Sequence, residues 1–491
     1  MKSLKHLLCS VEYRSSSENI ESISISDIAY NSANAGRGVL FVCIKGSVSD
    51  GHDFASAAYA AGSRAFICER TLDLPPDAVQ IEVSDTRAAL AVISSEFFSH
   101  PEKKLTLIGV TGTKGKSTVC EMIRHILCCS GKKAASIGTV GIRIGEKMES
   151  TQNSTPESYI LYRSLSQMVE SDVEYAVIEI SSQAIMQKRV CGMQFDAAVY
   201  TNLSRDHIGG FEHPDFEHYK ECKKELFKNC KAAFINVNDS FGIEFAKASL
   251  CPVYTYGDFA KTTAQGIRYT KVGGKFGTEF VCICGEEKQR VYIPMPGKFS
   301  CENALAAISV CAYFGIPLSI SAEALKSFHI KGRFETVEIP RRDISCVIDY
   351  AHNERSMEYA LSSLSEYPHN RIICVFGSVG DRTRERRRGM AILASRFSDL
   401  CIITSDNPGG EDPNYIIEEI SGYIPSDKRV CISDRKKAIE YALDIAESGD
   451  ILLFAGKGHE EYQLIKGKKL PFSEEAIIKE YFKEADKLCL K

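Results

Sequence analysis

Short, almost continuously apolar runs recur along this chain, and most are followed by a polar loop and then by a helix-like apolar pattern. The first hundred residues alternate in this way, with a buried-strand run at 39–44, a helical stretch at 54–61 and a strand at 65–68. Similar runs stand at 105–108, 176–180, 197–200 and 232–237, and a third series at 345–348, 372–376, 401–404 and 451–454. Strands that are apolar on both faces and separated by amphipathic helices predict parallel sheets covered on both sides. Segment 261–290 instead alternates with period two, which predicts an antiparallel β insertion. A polar, proline-marked joint at 100–104 and the Lys331-Gly332-Arg333 junction divide the series. The predicted class is α/β with three domains: a small N-terminal α/β domain at 1–102, a central doubly wound parallel sheet at 103–331 and a C-terminal Rossmann-like domain at 332–491.

In such sheets ligands bind beyond the carboxyl ends of the strands. The richest of these loops, Gly109-Val110-Thr111-Gly112-Thr113-Lys114-Gly115-Lys116-Ser117-Thr118, lies between the apolar run at 105–108 and a helical pattern at 119–129. Strand, glycine loop and helix in that order make a phosphate cradle. Backbone N–H groups from Gly112 to Thr118 and the helix dipole would hold the phosphates, Lys116 would reach the terminal ones, and Ser117 would ligate Mg²⁺. The spacing departs from the ordinary Gly-x-x-x-x-Gly-Lys-Ser pattern, because position 110 is valine. The competing reading is a plain glycine turn between strand and helix.

Other strand ends carry further polar groups. Glu179 closes one apolar strand, where an acid suits a hard cation. Asp206 and His207 follow the strand at 197–200, and Asp349-Tyr350-Ala351-His352 follows the one at 345–348. Arg382, Arg384, Arg386, Arg387 and Arg388 follow the strand at 372–376. Most of that run reads as a solvated helix face, while Arg382, nearest the strand end, suits a carboxylate or phosphate clamp. The loops 405–413 and 456–460 complete the rim.

Composition narrows the class little. The chain has 491 residues, 44% apolar and 25% charged, with a formal charge of −4, which gives no reason to expect a nucleic-acid partner. The apolar Leu7-Leu8-Cys9 is too short for a signal-peptide core, and no window approaches a membrane span. Nineteen cysteines lie mostly inside apolar runs, as small core residues of a cytoplasmic protein. Cys128-Cys129 and Cys282-Ile283-Cys284 lack a second pair at zinc-site spacing, so no zinc site is predicted.

Taken in order, Gly112-Thr-Lys-Gly115-Lys116-Ser117, Glu179-Ile-Ser-Ser182, Asn202-Leu-Ser-Arg-Asp206-His207, Gly332-Arg333-Phe-Glu335, Asp349-Tyr-Ala-His352, Asp406-Asn407-Pro408 and Gly456-Lys457-Gly458-His459-Glu460 resemble the Mur ligases. The resemblance covers nearly the whole chain and is nearest the members that add the third residue of the peptidoglycan stem peptide. It implies ATP-driven amide synthesis: the γ-phosphate passes to the D-glutamate carboxylate of UDP-MurNAc-L-Ala-D-Glu, and an amino acid's amine attacks the acyl phosphate. It implies ATP and Mg²⁺, with Ser117, Glu179, His207 and a carbamylated lysine holding metal. Lys223 keeps the family's Lys-x-x-Leu-Phe spacing, and Lys224 is the alternative; as plain residues both read as surface lysines on a helix. By family position Asn303, Arg333, Asp349 and His352 would meet ATP, with the second and third domains closing upon it. Ser32 would meet uridine, and Thr155, Pro156, Ser182 and Arg189 the sugar and stem peptide. Arg382, Asp406, Asn407, Gly409, Gly456 and Glu460 would meet the amino acid. A cytoplasmic monomer acting on small molecules is implied.

Some positions depart from the family pattern. Members that use meso-diaminopimelate carry arginine after Asp-Asn-Pro, where this chain has Gly409. Loss of that fork favours a singly carboxylated amino acid such as L-lysine or ornithine, although an arginine of 382–388 offers a substitute. Asn31, Ala33 and Gln183 replace usual residues, which leaves open a paralogue acting on a related UDP-sugar peptide. Two other readings stand beside these: a folylpolyglutamate synthase-like ligase, against which residues 1–100 argue, and a non-catalytic nucleotide-dependent regulator.

Overall fold

The computed structural model describes residues 1–489 except 18, 47–48, 207, 210–211, 273–274, 340–341 and 381–383. Packing divides the chain into two compact units, residues 1–261 with 306–316, and residues 262–305 with 317–491.

In the first unit, the N-terminal sheet runs in the order Arg14–Ser15, Val79–Glu82, Ala65–Cys68, Val39–Val42, Asp27–Ala29. All neighbours are parallel except the short first strand. The predicted strands at 39–44 and 65–68 are both present, the first two residues shorter at its end. The larger sheet of this unit is ordered Lys147–Glu149, Gly141–Ile144, Ala134–Gly138, Tyr175–Glu179, Thr106–Thr111, Ala197–Tyr200, Ala233–Asn236, Val253–Tyr256. Its last six strands are parallel; the first two form an antiparallel hairpin edge that the apolar pattern did not predict. The outer strand of that hairpin is exposed and the inner one is half-buried and carries Arg143, so neither shows the two-sided apolar run of a buried strand.

Thr106–Thr111 is central in this sheet, and Val110 pairs with Glu179 on one side and Val199 on the other. Position 110 is thus inside a buried strand rather than in the loop, which is why it is β-branched instead of glycine. The glycine loop is correspondingly short, and the helix Lys116–Cys129 begins directly after Gly115.

The second unit holds an antiparallel meander, Thr262–Val272, Lys275–Cys284 and Glu287–Ile293, where period-two alternation predicted one. Its larger sheet is ordered Glu335–Val337, Ser345–Asp349, Ile451–Ala455, Ile372–Phe376, Leu400–Ile403, Arg429–Cys431. All but the first strand are parallel, and apolar clusters cover both faces. Within the helix Arg384–Phe397 one arginine departs from the predicted solvated face. Arg387 is 1% exposed and donates to Glu411 at 2.7 Å and to Glu419 at 2.6 Å. A buried guanidinium needs paired carboxylates, and here they tie the helix to the loop after Pro408 through Glu411 and to the helix Pro413–Ser421 through Glu419. Among the described residues, no helix is long and apolar enough to cross a membrane.

Candidate active site

Gly112 begins the turn at a positive φ of 148°, and a side chain there would meet Thr201 Oγ1 at 2.0 Å. Only glycine fits where the strand end from Ala197–Tyr200 presses so close. That strand end holds the loop in shape. Asn202 accepts from the Lys114 N–H through Oδ1 and donates to the Lys114 carbonyl, both at 3.0 Å, while its own carbonyl accepts from the Thr113 N–H at 2.8 Å. Thr201 Oγ1 donates to the Lys114 carbonyl at 2.7 Å. Ser117 and Thr118 are buried in the first turn of the helix, and Lys114 pairs with Asp206 at 3.4 Å.

Lys116 curls over the loop, its Nζ donating to the carbonyls of Gly112 at 3.0 Å and Thr113 at 3.1 Å. A second amine arrives from the helix Phe216–Lys224, where Lys223 donates to the Gly112 carbonyl at 2.9 Å. Lys223 is 1% exposed. Burial first and the Lys116 charge second push its amine well below the usual lysine value, against a smaller pull from Asp206. Lys224 instead pairs with Glu221 at 2.8 Å and Glu244 at 3.2 Å at the surface. The two lysines that spacing left as alternatives therefore have different surroundings.

Glu179 is buried at its strand end, accepting from the Thr139 N–H at 2.8 Å and from the Thr139 hydroxyl at 3.2 Å. Its carboxylate lies against Gly138, where an added methyl would come within 2.2 Å of Oε1. The Glu179 carbonyl accepts from the Thr155 hydroxyl at 2.7 Å, and the Thr155 carbonyl accepts from Arg189 at 2.7 Å. Arg189 also pairs with Glu157 at 3.0 Å, and Ser182 Oγ lies 2.8 Å from His213 Nε2. Thr155, Ser182 and Arg189 thus form one side of the same strand rim, with Pro156 buried beside Thr155. Ser32 is half-buried in the turn Ser32–Asn34, which Asn31 caps through its side chain. His207 and Arg382 lie outside the described residues.

The second unit carries the remaining candidates. Asn303 is buried on the helix Lys298–Tyr313. Arg333 stacks over the Tyr350 ring at 4.9 Å, and His352 Nδ1 lies 2.7 Å from the Tyr350 carbonyl. Asp349 accepts from the Phe334 N–H at 2.9 Å, and burial lifts its carboxyl to about 6 against the opposing pull of Arg333. At the next strand ends, Lys457 is fully buried and donates to Asn407 at 2.7 Å and Glu460 at 2.9 Å, with Asp406 at 3.7 Å. Asn407 donates in turn to Glu460 at 2.9 Å. Gly409 bridges to Ile465 and contributes no cation. Sequence reasoning singled out Asp406, Asn407 and Glu460 but not the lysine that joins them. Its position inside Gly456-Lys457-Gly458-His459-Glu460 was the available signal.

A strand-end phosphate loop with two converging lysines, a buried acid beside it and a second α/β unit rich in strand-end polar groups is what an ATP-driven ligase requires. Three family models match successive parts of the chain: the Mur ligase family catalytic domain at 24–101, the Mur ligase middle domain at 110–311 and the Mur ligase glutamate ligase domain at 332–458. A ligase from Caldanaerobacter subterraneus subsp. tengcongensis, UDP-N-acetylmuramoyl-L-alanyl-D-glutamate--2,6-diaminopimelate ligase, is 40% identical over 95% of this chain and 96% of its own. The chain belongs to the Mur ligase family. It is an ATP-dependent ligase of peptidoglycan synthesis with the three-domain α/β fold of that family. A protein of the same name from Clostridium botulinum is 38% identical over 98% of this chain and 99% of its own. A solved structure of a diaminopimelate ligase of this name superposes with a TM-score of 0.67 at 27% identity, covering 94% of this chain and 95% of that one. These relatives carry diaminopimelate in their names, and the comparisons give the expected preference for lysine no support.

Proposed function

We propose that this Mur ligase adds the third residue of the stem peptide to UDP-MurNAc-L-Ala-D-Glu. The observation that carries this reading is the convergence of Lys116 and Lys223 on the Gly112 carbonyl, beside the buried Glu179. The loop N–H groups and Lys116 hold the phosphates of ATP. An oxygen of the D-glutamate carboxylate attacks the γ-phosphorus, ADP leaves, and the incoming amine displaces phosphate from the acyl carbon with loss of a proton. Lys223, its amine held toward the neutral form, is placed to attack CO₂, forming an N–C bond and releasing one proton to solvent; the resulting carbamate puts an anion where a neutral amine stood. With that carbamate, Ser117, Glu179 and His207, the donors are mainly oxygen, as Mg²⁺ requires. When bound, Mg²⁺ neutralises charge gathered on the transferring phosphoryl group.

In this reading Asn303, Arg333, Asp349 and His352 meet the nucleotide, Ser32 the uridine, and Thr155, Pro156, Ser182 and Arg189 the sugar peptide. Arg382, Asp406, Asn407, Gly409, Gly456 and Glu460 line the amino-acid site, within domains at 1–102, 103–331 and 332–491. The protein acts in the cytoplasm as a monomer. The names of the relatives favour meso-diaminopimelate as the amine donor. One specific observation favours L-lysine or ornithine instead: position 409 is glycine, and two cations described at these strand ends, Lys457 and Arg387, are already committed to carboxylates.

Phosphate release from ATP, measured with UDP-MurNAc-L-Ala-D-Glu and a panel of diaminopimelate, lysine and ornithine, tests both points. Turnover with diaminopimelate alone removes the second reading. Turnover with none of the three removes the substrate assignment.

A further inference from the structure

A second group of side chains converges at the helix that carries Lys223. His213 precedes the helix and is fully buried, while His218 and Cys222 stand one turn apart on it. His213 Nδ1 lies 2.9 Å from His218 Nδ1, and Cys222 Sγ lies 3.9 Å from that same nitrogen. One ligand atom from each residue falls within 4.8 Å of the other two. An ion with bonds of about 2.0–2.1 Å to nitrogen and 2.3 Å to sulfur, in tetrahedral geometry, sets its nitrogens about 3.3 Å apart and nitrogen and sulfur about 3.6 Å apart. The two contacts made by His218 lie within about 0.4 Å of those separations, and the pair His213–Cys222, within 4.8 Å, closes by up to about 1 Å on binding.

The surroundings support ligation as well as the distances do. His213 Nε2 is held by Ser182 Oγ at 2.8 Å, the outer partner that fixes a ligating imidazole and turns its other nitrogen toward the metal. Ser182 opens the helix Ser182–Met186, which Ser181 caps, so that partner is itself anchored. His218 is exposed and gives the cluster an opening to solvent. Two imidazoles and a thiolate suit Zn²⁺ and disfavour Mg²⁺, so this cluster would not compete for the cation at the phosphate loop.

We propose that His213, His218 and Cys222 form a three-ligand site for a soft divalent ion of the zinc class, with a fourth position open to water. Binding forms two metal–nitrogen bonds and one metal–sulfur bond and releases the Cys222 thiol proton to solvent. The bound ion ties the segment before the helix to the helix face next to Lys223, and through His213 to Ser182.

The test is titration of chelator-treated full-length protein with Co²⁺, followed by displacement with Zn²⁺. The expected result is a thiolate-to-cobalt charge-transfer band with tetrahedral d–d bands, saturating at one ion per chain and erased by Zn²⁺ but not by Mg²⁺. Cys222→Ala removes the charge-transfer band, and the exposed His218→Gln weakens Zn²⁺ binding about tenfold or more. Cys251→Ala, at a half-buried cysteine that lies against Cys230 and outside the cluster, leaves the spectrum intact. Thermal unfolding of each metal-free variant, compared with the metal-free parent, separates loss of a ligand from loss of fold. Absence of the bands in the parent, or their survival in folded Cys222→Ala, overturns the site and assigns the close nitrogens to an imidazole–imidazole hydrogen bond.

Discussion

Lys116 and Lys223 donate to one carbonyl oxygen, that of Gly112, at 3.0 and 2.9 Å. Two amines that share an acceptor in a buried site repel each other if both are charged, and the more deeply buried one yields its proton. A carbamate on Lys223 removes the conflict and gives Lys116 an anionic neighbour. Replacing Lys223 with alanine is expected to lower ligase turnover about a hundredfold or more, the scale of losing a preorganised charge at a phosphoryl-transfer site. Short carboxylates added to the medium should restore part of it, whereas Lys224→Ala, which loses only surface ion pairs, should stay within a few-fold of the parent. Steady-state phosphate release decides; a fully active Lys223→Ala protein rules the carbamate out.

Glu179 is reached without touching it. A methyl at position 138 would sit 2.2 Å from Glu179 Oε1, so Gly138→Ala must displace the carboxylate from Thr139. The expected outcome is an apparent Mg²⁺ requirement raised about tenfold, with the urea midpoint little changed. An unchanged Mg²⁺ dependence would remove Glu179 from the metal site.

Asp349 makes stability depend on pH. Its carboxyl is raised to about 6 in the folded chain, above its unfolded value, so the protonated form is the one the fold favours. That contribution is complete below about pH 4 and is lost as pH rises through 6. Asp349→Asn keeps an oxygen for the Phe334 N–H and removes the buried charge, and a shift of roughly two units corresponds to about 3 kcal/mol. The variant should therefore be more stable than the parent by about that much at pH 8 and by almost nothing at pH 4. Urea unfolding at the two pH values measures this, and an equal difference at both would refute it.

The strand pattern and the phosphate loop could be read from the residues because two-sided apolar runs and glycine next to Lys-Ser carry local signals. Buried cations gave none. Arg387 sits in a run of five arginines that looks like a solvated face, and only its encounter with Glu411 and Glu419, 24 and 32 positions on, places it inside. Lys457 had a motif around it, Gly456 to Glu460, but its burial shows only when a second strand end brings Asn407 to it. His213, His218 and Cys222 lack the paired-cysteine spacing that marks a zinc site, since the first ligand comes from a loop and the other two from a helix face.

Arg387 gives a stability prediction with a functional echo. Removing it leaves Glu411 and Glu419 facing a buried vacancy, so Arg387→Ala should cost about 3–5 kcal/mol in urea unfolding. Arg387→Met, which refills the volume but not the charge, should lie between. Because Glu411 belongs to the loop after Asp406-Asn407, the KM for the incoming amino acid should rise in variants that still fold. A KM that does not move would separate this ion pair from the amino-acid site.

Gly409 is where the identity of the amine is tested. Its backbone has a φ of 62°, a conformation that costs a side chain about 1 kcal/mol, so Gly409→Arg is expected to be tolerated with slight loss of stability. A guanidinium at this position offers a fork to a second carboxylate, worth about 1.5–3 kcal/mol when charge-assisted. If the parent lacks a distal-carboxylate contact, kcat/KM for diaminopimelate over lysine should rise about ten- to a hundredfold in the variant. If the parent already takes diaminopimelate through another cation, the added arginine should leave the ratio unchanged or lower it by crowding. Competition between the two amino acids in one reaction, with the tripeptide products separated by mass, gives the ratio directly. An unchanged ratio in a folded, active variant assigns selectivity to residues other than Gly409.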